Sequence, residues 1–550
     1  MEFGPIYNFL STKIWPIFFE YGKFFAYLTL ILTIISIILS ILVIKERFIN
    51  SNKSKRRKDN KSYFMILSLL LIISSFVYWS VASERVFFSY DETDLKFYIA
   101  SIRLAQEGEF RPSGTPLGGF SYILIFLFRI FPSLTDPFNL FYFIIWMNYF
   151  VLLFMIFLIF DMFYLKSKNK LIPIFLTLTI LFYTPLIESI WYYKLYYTIC
   201  LAGLFFTYYV FIRMNDLQKN NKLTKLGKFY YPLLILILLF LTSHSRPELL
   251  ILSFPILIYS IPFLIKEFKS CRWQGRLYYI ILISFFILIH IDVLSWYILS
   301  NSQRLNDGTL QFNRPVISRD IMNVFEWLSY SFIFVLLFSK KTAIFGLLYI
   351  PFFTYIRFSL MWDWLLYPTY FVFALFLILY NFPIFTNKKT TSLAISIVLF
   401  LSMFALSPFY PFERNLFYYP LQYSEKDDDG SQILYLKEYL KDKEYIIYES
   451  WPDIFSTYIF SDSPSEFKEF RKELSSNMSI FFRDGYHLNL SSSFFLEQEK
   501  PVLFAYNRDI TDYTLYLNDS NVTFSKLIDK PFAYNLYELH FHFYDENITK

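Results

Sequence analysis

Long apolar stretches, separated by short polar ones, fill the chain from about residue 22 to residue 407. A helix needs about 20 mostly apolar residues to cross the hydrocarbon of a bilayer. On that measure the pattern predicts twelve spans, at roughly 22–45, 62–83, 138–162, 171–187, 190–212, 229–246, 249–265, 277–299, 321–339, 342–356, 365–382 and 390–407. The spans at 171–187, 249–265 and 342–356 are short and require partners or local thinning of the bilayer.

The polar connections between these stretches are not alike. Lys and Arg gather at Lys45-Glu46-Arg47 through Lys61, at Lys166/Lys168/Lys170, and from Arg213 to Lys228. They gather again from Lys266 to Arg276, at Lys340-Lys341 and at Lys388-Lys389. These groups follow spans one, three, five, seven, nine and eleven, so every other connection is basic. Basic loops stay in the cytoplasm. The alternation therefore predicts both termini on the extracytoplasmic side of a plasma or inner membrane.

Composition sharpens the division. The 550 residues are 55% hydrophobic and only 17% charged, with a mean hydropathy of +0.40. Soluble globular chains carry about 25% charge, so this balance excludes a soluble enzyme. Two cysteines, Cys200 and Cys271, exclude a disulfide scaffold and form no metal-ligating spacing. From residue 408 onward there are 14 Lys/Arg against 24 Asp/Glu, leaving 37 against 21 before it. A basic apolar body thus precedes an acidic polar tail. The expected domains are 1–61, an extra amino-terminal span and basic linker; 62–407, a helical membrane domain; and 408–550, a small extracytoplasmic α/β domain. In the tail, helical patterns lie at 431–441 and 465–476, and extended runs at 445–450, 501–506 and 533–544.

The first outer connection, 84–137, carries the most chemistry. It opens with Asp91-Glu92-Thr93-Asp94. An amphipathic helix follows, in which Leu95, Tyr98, Ile99, Ile102 and Ala105 share a face and Gly108 supplies a stop. Next come the turn-rich Pro116-Leu117-Gly118-Gly119 and an apolar stretch from Phe120 to Phe131. Twelve helical residues rise about 18 Å, too little to cross, so this stretch lies at the interface or dips into the membrane without crossing it. Further ionisable residues sit at the outer ends of spans: Glu188, Lys194, the group His244-Ser245-Arg246-Pro247-Glu248, and Arg357. Such residues within a membrane domain are functional candidates, although each cation can also snorkel to the interface or pair with Glu188 or Glu248.

An acidic pair after an early span, a Tyr-bearing helix ending in Gly, a Pro-Leu-Gly turn and a short second helix resemble the GT-C membrane glycosyltransferases. Within them the chain is similar to the polyprenyl-phosphate-sugar-dependent group of protein mannosyltransferases and arabinosyltransferase-like enzymes. The resemblance covers roughly residues 62–407. It implies a GT-C-like α-helical polytopic fold and an inverting enzyme that moves a sugar from a polyprenyl-phosphate donor to a hydroxyl on a glycan, lipid or protein. It also implies a site on the extracytoplasmic face.

By that resemblance Asp91 is the base that takes the acceptor proton, with Glu92 second. A carboxylate shielded at the membrane boundary suits such work. Asp94 either orients the acceptor or caps its helix, and Tyr98 and Glu188 line the substrate. Lys194, Arg246 and Arg357 face the departing lipid phosphate, which guanidinium groups bind in a bidentate way, and His244 either touches the phosphate or the sugar or serves as a structural hydrogen-bond donor. Some members of the group hold a divalent cation at the acidic residues, and a metal at Asp91 and Glu92 stays open here. Membrane lipids are expected partners and nucleic acid is not. The alternative class is a transporter or lipid flippase, which should place ionisable residues near the bilayer midplane and show related halves. The sidedness gives a direct test. A cysteine introduced at Lys55 should label from the cytoplasm and one at Gly430 from the opposite side; labelling of both from one side would refute the span count.

Overall fold

The computed structural model describes residues 22–49, 57–83, 130–131, 137–167, 169–183, 186–187, 195–245, 265, 268–269, 272–284, 367–381, 383–385 and 389–406, together with strands at 446–449, 502–506, 522–526 and 535–541. The helices are α1 (Gly22–Ile49), α2 (Arg57–Ser83), α3 (Pro137–Lys166), α4 (Leu171–Leu181), α5 (Leu195–Lys219), α6 (Gly227–Ser245), α7 (Tyr367–Asn381) and α8 (Lys389–Leu406). A further helical segment covers 273–284. Among the described residues, four helices are long and apolar enough to cross a membrane: Tyr27–Arg47, Lys61–Val81, Tyr142–Lys166 and Thr198–Lys219. The protein is therefore a helical membrane protein. Leu171–Leu181, Gly227–Thr242 and Thr390–Ala405 are apolar but shorter.

The expected span at 171–187 is a shorter helix than its apolar run suggests. It ends at Leu181 and turns through Phe182 and Tyr183. Pro185 accounts for this, because proline removes a donor and disfavours helical backbone in the residue before it. Of the expected spans, 321–339 and 342–356 lie outside the described residues, as does 249–265 apart from Ile265, and 277–299 is described only to residue 284.

Helix directions follow from side-chain contacts. At one end of the bundle, residues near the finish of α1, α3 and α5 meet residues near the start of α2 and α6: Arg47, Asp161, Tyr209, Tyr63, Glu46 and Tyr231 form one connected group. At the other end, Ser75 and Tyr78 of α2 meet Tyr149 and the Ile145 carbonyl of α3. There too Thr198 of α5 bonds Asn148 of α3, and Cys200 of α5 bonds the Thr242 carbonyl of α6. Odd and even helices therefore run oppositely. The late helices keep the alternation. Phe163 and Tyr208 pack on Phe376 and Tyr380, so α7 runs with α3 and α5. Phe175 packs on Phe400 and Phe182 on Phe404, so α8 runs with α4. This is the reversal pattern that the basic connections predict.

The bundle is built around α5, in which every residue from Cys200 to Ile212 is buried. A helix that is apolar all round belongs inside. On the periphery, α1 presents Ile31, Ile34, Ile38 and Ile41 outward at helical spacing and packs Leu28, Leu32 and Ile35 against Leu233, Ile237, Phe240 and Leu241 of α6. Between α5 and α6 the chain turns tightly. Asn221 takes a positive φ of 52°. Its N–H bonds the Gln218 carbonyl and the Lys222 N–H bonds the Leu217 carbonyl, the paired closure of a left-handed helix cap. The Thr224 hydroxyl then accepts the Gly227 N–H at 2.9 Å and starts α6.

Pro232 sits inside α6 and leaves the Lys228 carbonyl without its helical donor. Tyr279 donates to that carbonyl at 2.9 Å, and Tyr278 to the Phe229 carbonyl at 2.7 Å. The segment 273–284 is thereby fixed beside the start of α6.

The chain divides into two compact units, the first ending at Tyr419 and the second taking in Pro420–Lys550. The described part of that final stretch is one mixed four-stranded sheet of β1 (Ile446–Glu449), β2 (Val502–Tyr506), β3 (Val522–Lys526) and β4 (Asn535–Phe541), in the order β1-β2-β4-β3. β1 runs parallel to β2, with Ile446 opposite Val502. β4 runs antiparallel to both neighbours, with Leu539 opposite Val502 and Phe524. The runs at 445–450, 501–506 and 533–544 carry β1, β2 and β4. β3 is an addition to the sequence reading. The helical patterns at 431–441 and 465–476 lie outside the described residues.

Replacing Tyr279 by Phe should lower stability by about 1 kcal/mol, the usual net worth of one such bond. In a Pro232→Ala background, where residue 232 regains its N–H, the same change should cost much less. Thermal unfolding of the four proteins in detergent measures this coupling.

Candidate functional site

Asp91, Glu92, Asp94, Tyr98, Glu188, Lys194, Arg246 and Arg357 all lie outside the described residues; His244 falls in the last turn of α6, described as backbone only. What the structure does describe is the scaffold around them. Asp91 and Glu92 follow the end of α2 at Ser83 in sequence. Glu188 directly follows the buried Ile187. Lys194 precedes the first residue of α5, and Arg246 follows the last residue of α6. α2 and α6 finish, and α5 begins, at the same end of the bundle.

Among the described residues, that end is held by neutral contacts. The Ser75 and Tyr149 hydroxyls lie 2.8 Å apart, and Trp79 packs on Trp146 with ring centroids at 4.8 Å. Tryptophan concentrates at membrane–water interfaces, which fits its place near the finish of α2. Asn148 is buried and accepts the Thr198 hydroxyl at its side-chain oxygen, whereas its side-chain N–H₂ meets no acceptor among the described residues.

The opposite end holds a cluster that the sequence reading passed over. Asp161 of α3 is fully buried. The Arg47 guanidinium donates to both of its oxygens, at 3.0 and 3.2 Å, and Tyr209 donates to Oδ2 at 3.0 Å. Arg47 also lies 5.9 Å from the centre of the Tyr63 ring. One residue earlier on α1, Glu46 accepts hydroxyls from Tyr230 at 2.6 Å and Tyr231 at 2.9 Å. Lys166 donates to the Tyr380 carbonyl, closing the end of α7, and lies over the rings of Tyr380 and Phe385. A cation is favourable there because the last carbonyls of a helix carry partial negative charge. The available signal was Asp161 itself, an ionisable residue inside an expected span; it was absorbed into the 138–162 run.

The two ends differ in what they can do. The Asp161 carboxylate is enclosed and already accepts three donors, so it has little capacity to act as a base and ties α1, α3 and α5 together instead. Among the described residues the Asn148 end shows no such closure, and the polar sequence groups adjoin it. No group of three or more His, Cys, Asp or Glu able to hold a metal occurs among the described residues. In comparison with known proteins, no family model matches the chain and no curated protein matches it.

Removing one member of the buried ion pair leaves the other uncompensated, at a cost of about 3–5 kcal/mol. Arg47→Met or Asp161→Leu should therefore destabilise strongly, while the double variant should recover a large part of the loss. Unfolding temperatures of the purified protein in detergent test this. A double variant as weak as the two single losses added together would show that the pair is not coupled.

Proposed function

We propose that the protein is an integral membrane glycosyltransferase of GT-C type. It takes a sugar from a polyprenyl-phosphate donor and passes it to a hydroxyl acceptor on the extracytoplasmic face. The observation that carries this reading is the grouping of helix ends. α2, α5 and α6 meet at one end of the bundle, and Asp91, Glu92, Lys194, His244 and Arg246 belong to or adjoin those ends in sequence. Glu188 follows the even-numbered α4 in the same sense. A carboxylate pair and several cations held at one interface suit a reaction in which a hydroxyl loses a proton while a lipid phosphate departs.

On this reading Asp91 removes the acceptor proton as the oxygen attacks the anomeric carbon, and Glu92 supports it. The bond from that carbon to the phosphate oxygen breaks, and the sugar is inverted. Arg246 and Arg357, with Lys194, offset the negative charge gathering on the leaving phosphate. The polyprenyl chain stays in the hydrocarbon throughout. The finer architecture belongs to the same proposal: twelve spans, and an extracytoplasmic α/β domain at 408–550.

The test is a transfer assay in membranes with labelled lipid-phosphate sugars. Asp91→Asn should lower the rate by about 10²–10⁴-fold, the usual worth of a positioned base, with Glu92→Gln showing a smaller loss. Full activity in both variants would remove the catalytic assignment.

A further inference from the structure

We infer that the α5–α6 turn and the start of segment 273–284 together form a docking site for the headgroups of anionic phospholipids. The two elements are held side by side by the Tyr278 and Tyr279 hydroxyl bonds to the Phe229 and Lys228 carbonyls, with the Phe229 and Tyr278 rings in edge contact at 5.1 Å. Lys219, Lys222 and Lys225 are exposed on the turn, and Arg272 is exposed at the opening of the helical segment. Among the described residues, none of these four lies within ion-pair distance of a carboxylate.

Among the described residues, the acids Asp161 and Glu46 at this end are directed elsewhere. Asp161 is buried against Arg47 and Tyr209, Glu46 accepts two tyrosine hydroxyls, and Asp216 is partly buried on α5. Asp216, three residues before Lys219 on α5, offsets part of the Lys219 charge, and Lys222, Lys225 and Arg272 continue the outward basic layer. Apolar side chains border them: Leu226 is 77% exposed and Trp273 70% exposed, with Phe229 and Leu277 also open. An exposed tryptophan and leucine beside exposed lysines fit a single setting, the boundary where acyl chains meet charged headgroups. α6 also begins here, and helix beginnings carry partial positive charge. Phosphatidylglycerol supplies the matching partner, with a phosphodiester for the cations and acyl chains for Leu226 and Trp273. The site is independent of the sugar-transfer reading, which concerns the opposite end of the bundle.

The experiment titrates the full chain in detergent with phosphatidylglycerol or phosphatidylcholine and counts bound lipids by native mass spectrometry. The wild type should bind phosphatidylglycerol in preference, and added salt should weaken this binding. Each cation near a charged surface contributes about five-fold. Lys219→Gln, Lys222→Gln and Lys225→Gln combined should therefore reduce binding by about ten-fold or more, while the same positions changed to Arg should retain it. If the triple variant fails to fold, Lys222→Gln alone gives the same reading with about a five-fold loss. Equal binding of the two lipids by the wild type, unchanged binding in the Gln variants, or displacement of the lipid by free inorganic phosphate would each overturn the assignment.

Discussion

A carboxylate enclosed in an apolar bundle has to be matched where it stands, since an unpaired buried charge costs several kcal/mol. Asp161 is matched by the planar fork of Arg47 and by the Tyr209 hydroxyl. Asp161 and these partners come from three helices, so the requirement fixes the relative height of α1, α3 and α5. Glu46, one position before Arg47, carries the same constraint to α6 through Tyr230 and Tyr231. Apolar packing alone tolerates sliding of one helix along another, because one leucine resembles the next. A bidentate ion pair does not. The levels of the spans relative to one another are therefore set at this end and transmitted along the helices.

The same logic explains why the α5–α6 turn is short and strictly closed. α5 is buried on all sides, so α6 must return directly along it. The positive φ at Asn221 and the Thr224 cap meet the helix-end hydrogen-bonding requirement within a few residues. Pro232 then opens a gap in α6 that a neighbouring tyrosine closes. Polar backbone groups in a membrane domain need protein partners, because hydrocarbon offers none. Tyr279 shows that requirement being met between elements rather than within one.

Much of the helical framework was legible in the sequence. The runs at 22–45, 62–83 and 138–162 became Gly22–Ile49, Arg57–Ser83 and Pro137–Lys166. Their polar ends extended further than the apolar pattern, because Lys and Arg can continue a helix while their charged groups reach water. The reversal of direction was legible from the basic connections alone. The shortening of 171–187 was not weighed against Pro185, although the residue was in view. β3 escaped because Val522-Thr523-Phe524-Ser525-Lys526 is short, with apolar positions no denser than in the surrounding tail. The Arg47–Asp161 pair escaped for a different reason. The two residues are far apart in sequence, and pairing across helices is not encoded in periodicity. Of the candidate site, only the backbone at His244 falls among the described residues. Its legibility therefore rests on the order of the motifs and on the helix ends that flank them.

These ends make opposite demands on the chain. At the end carrying Arg47, Asp161 and Glu46, the Asp161 and Glu46 carboxylates are matched by groups on neighbouring helices, and so it serves as the firm base of the bundle. Placing reactive carboxylates there would disturb the interactions that hold the helices in register. Among the described residues, the other end is held by hydroxyl and amide contacts such as Ser75–Tyr149 and Thr198–Asn148. Neutral contacts of this kind tolerate rearrangement at about 1 kcal/mol each, far less than breaking a buried ion pair. A site that must admit a lipid-linked sugar and release a lipid phosphate needs this tolerance close to its substrate and firm support farther away. The division of labour between the two ends is thus the physical argument for locating the proposed chemistry beside α2, α5 and α6, away from the buried ion pair.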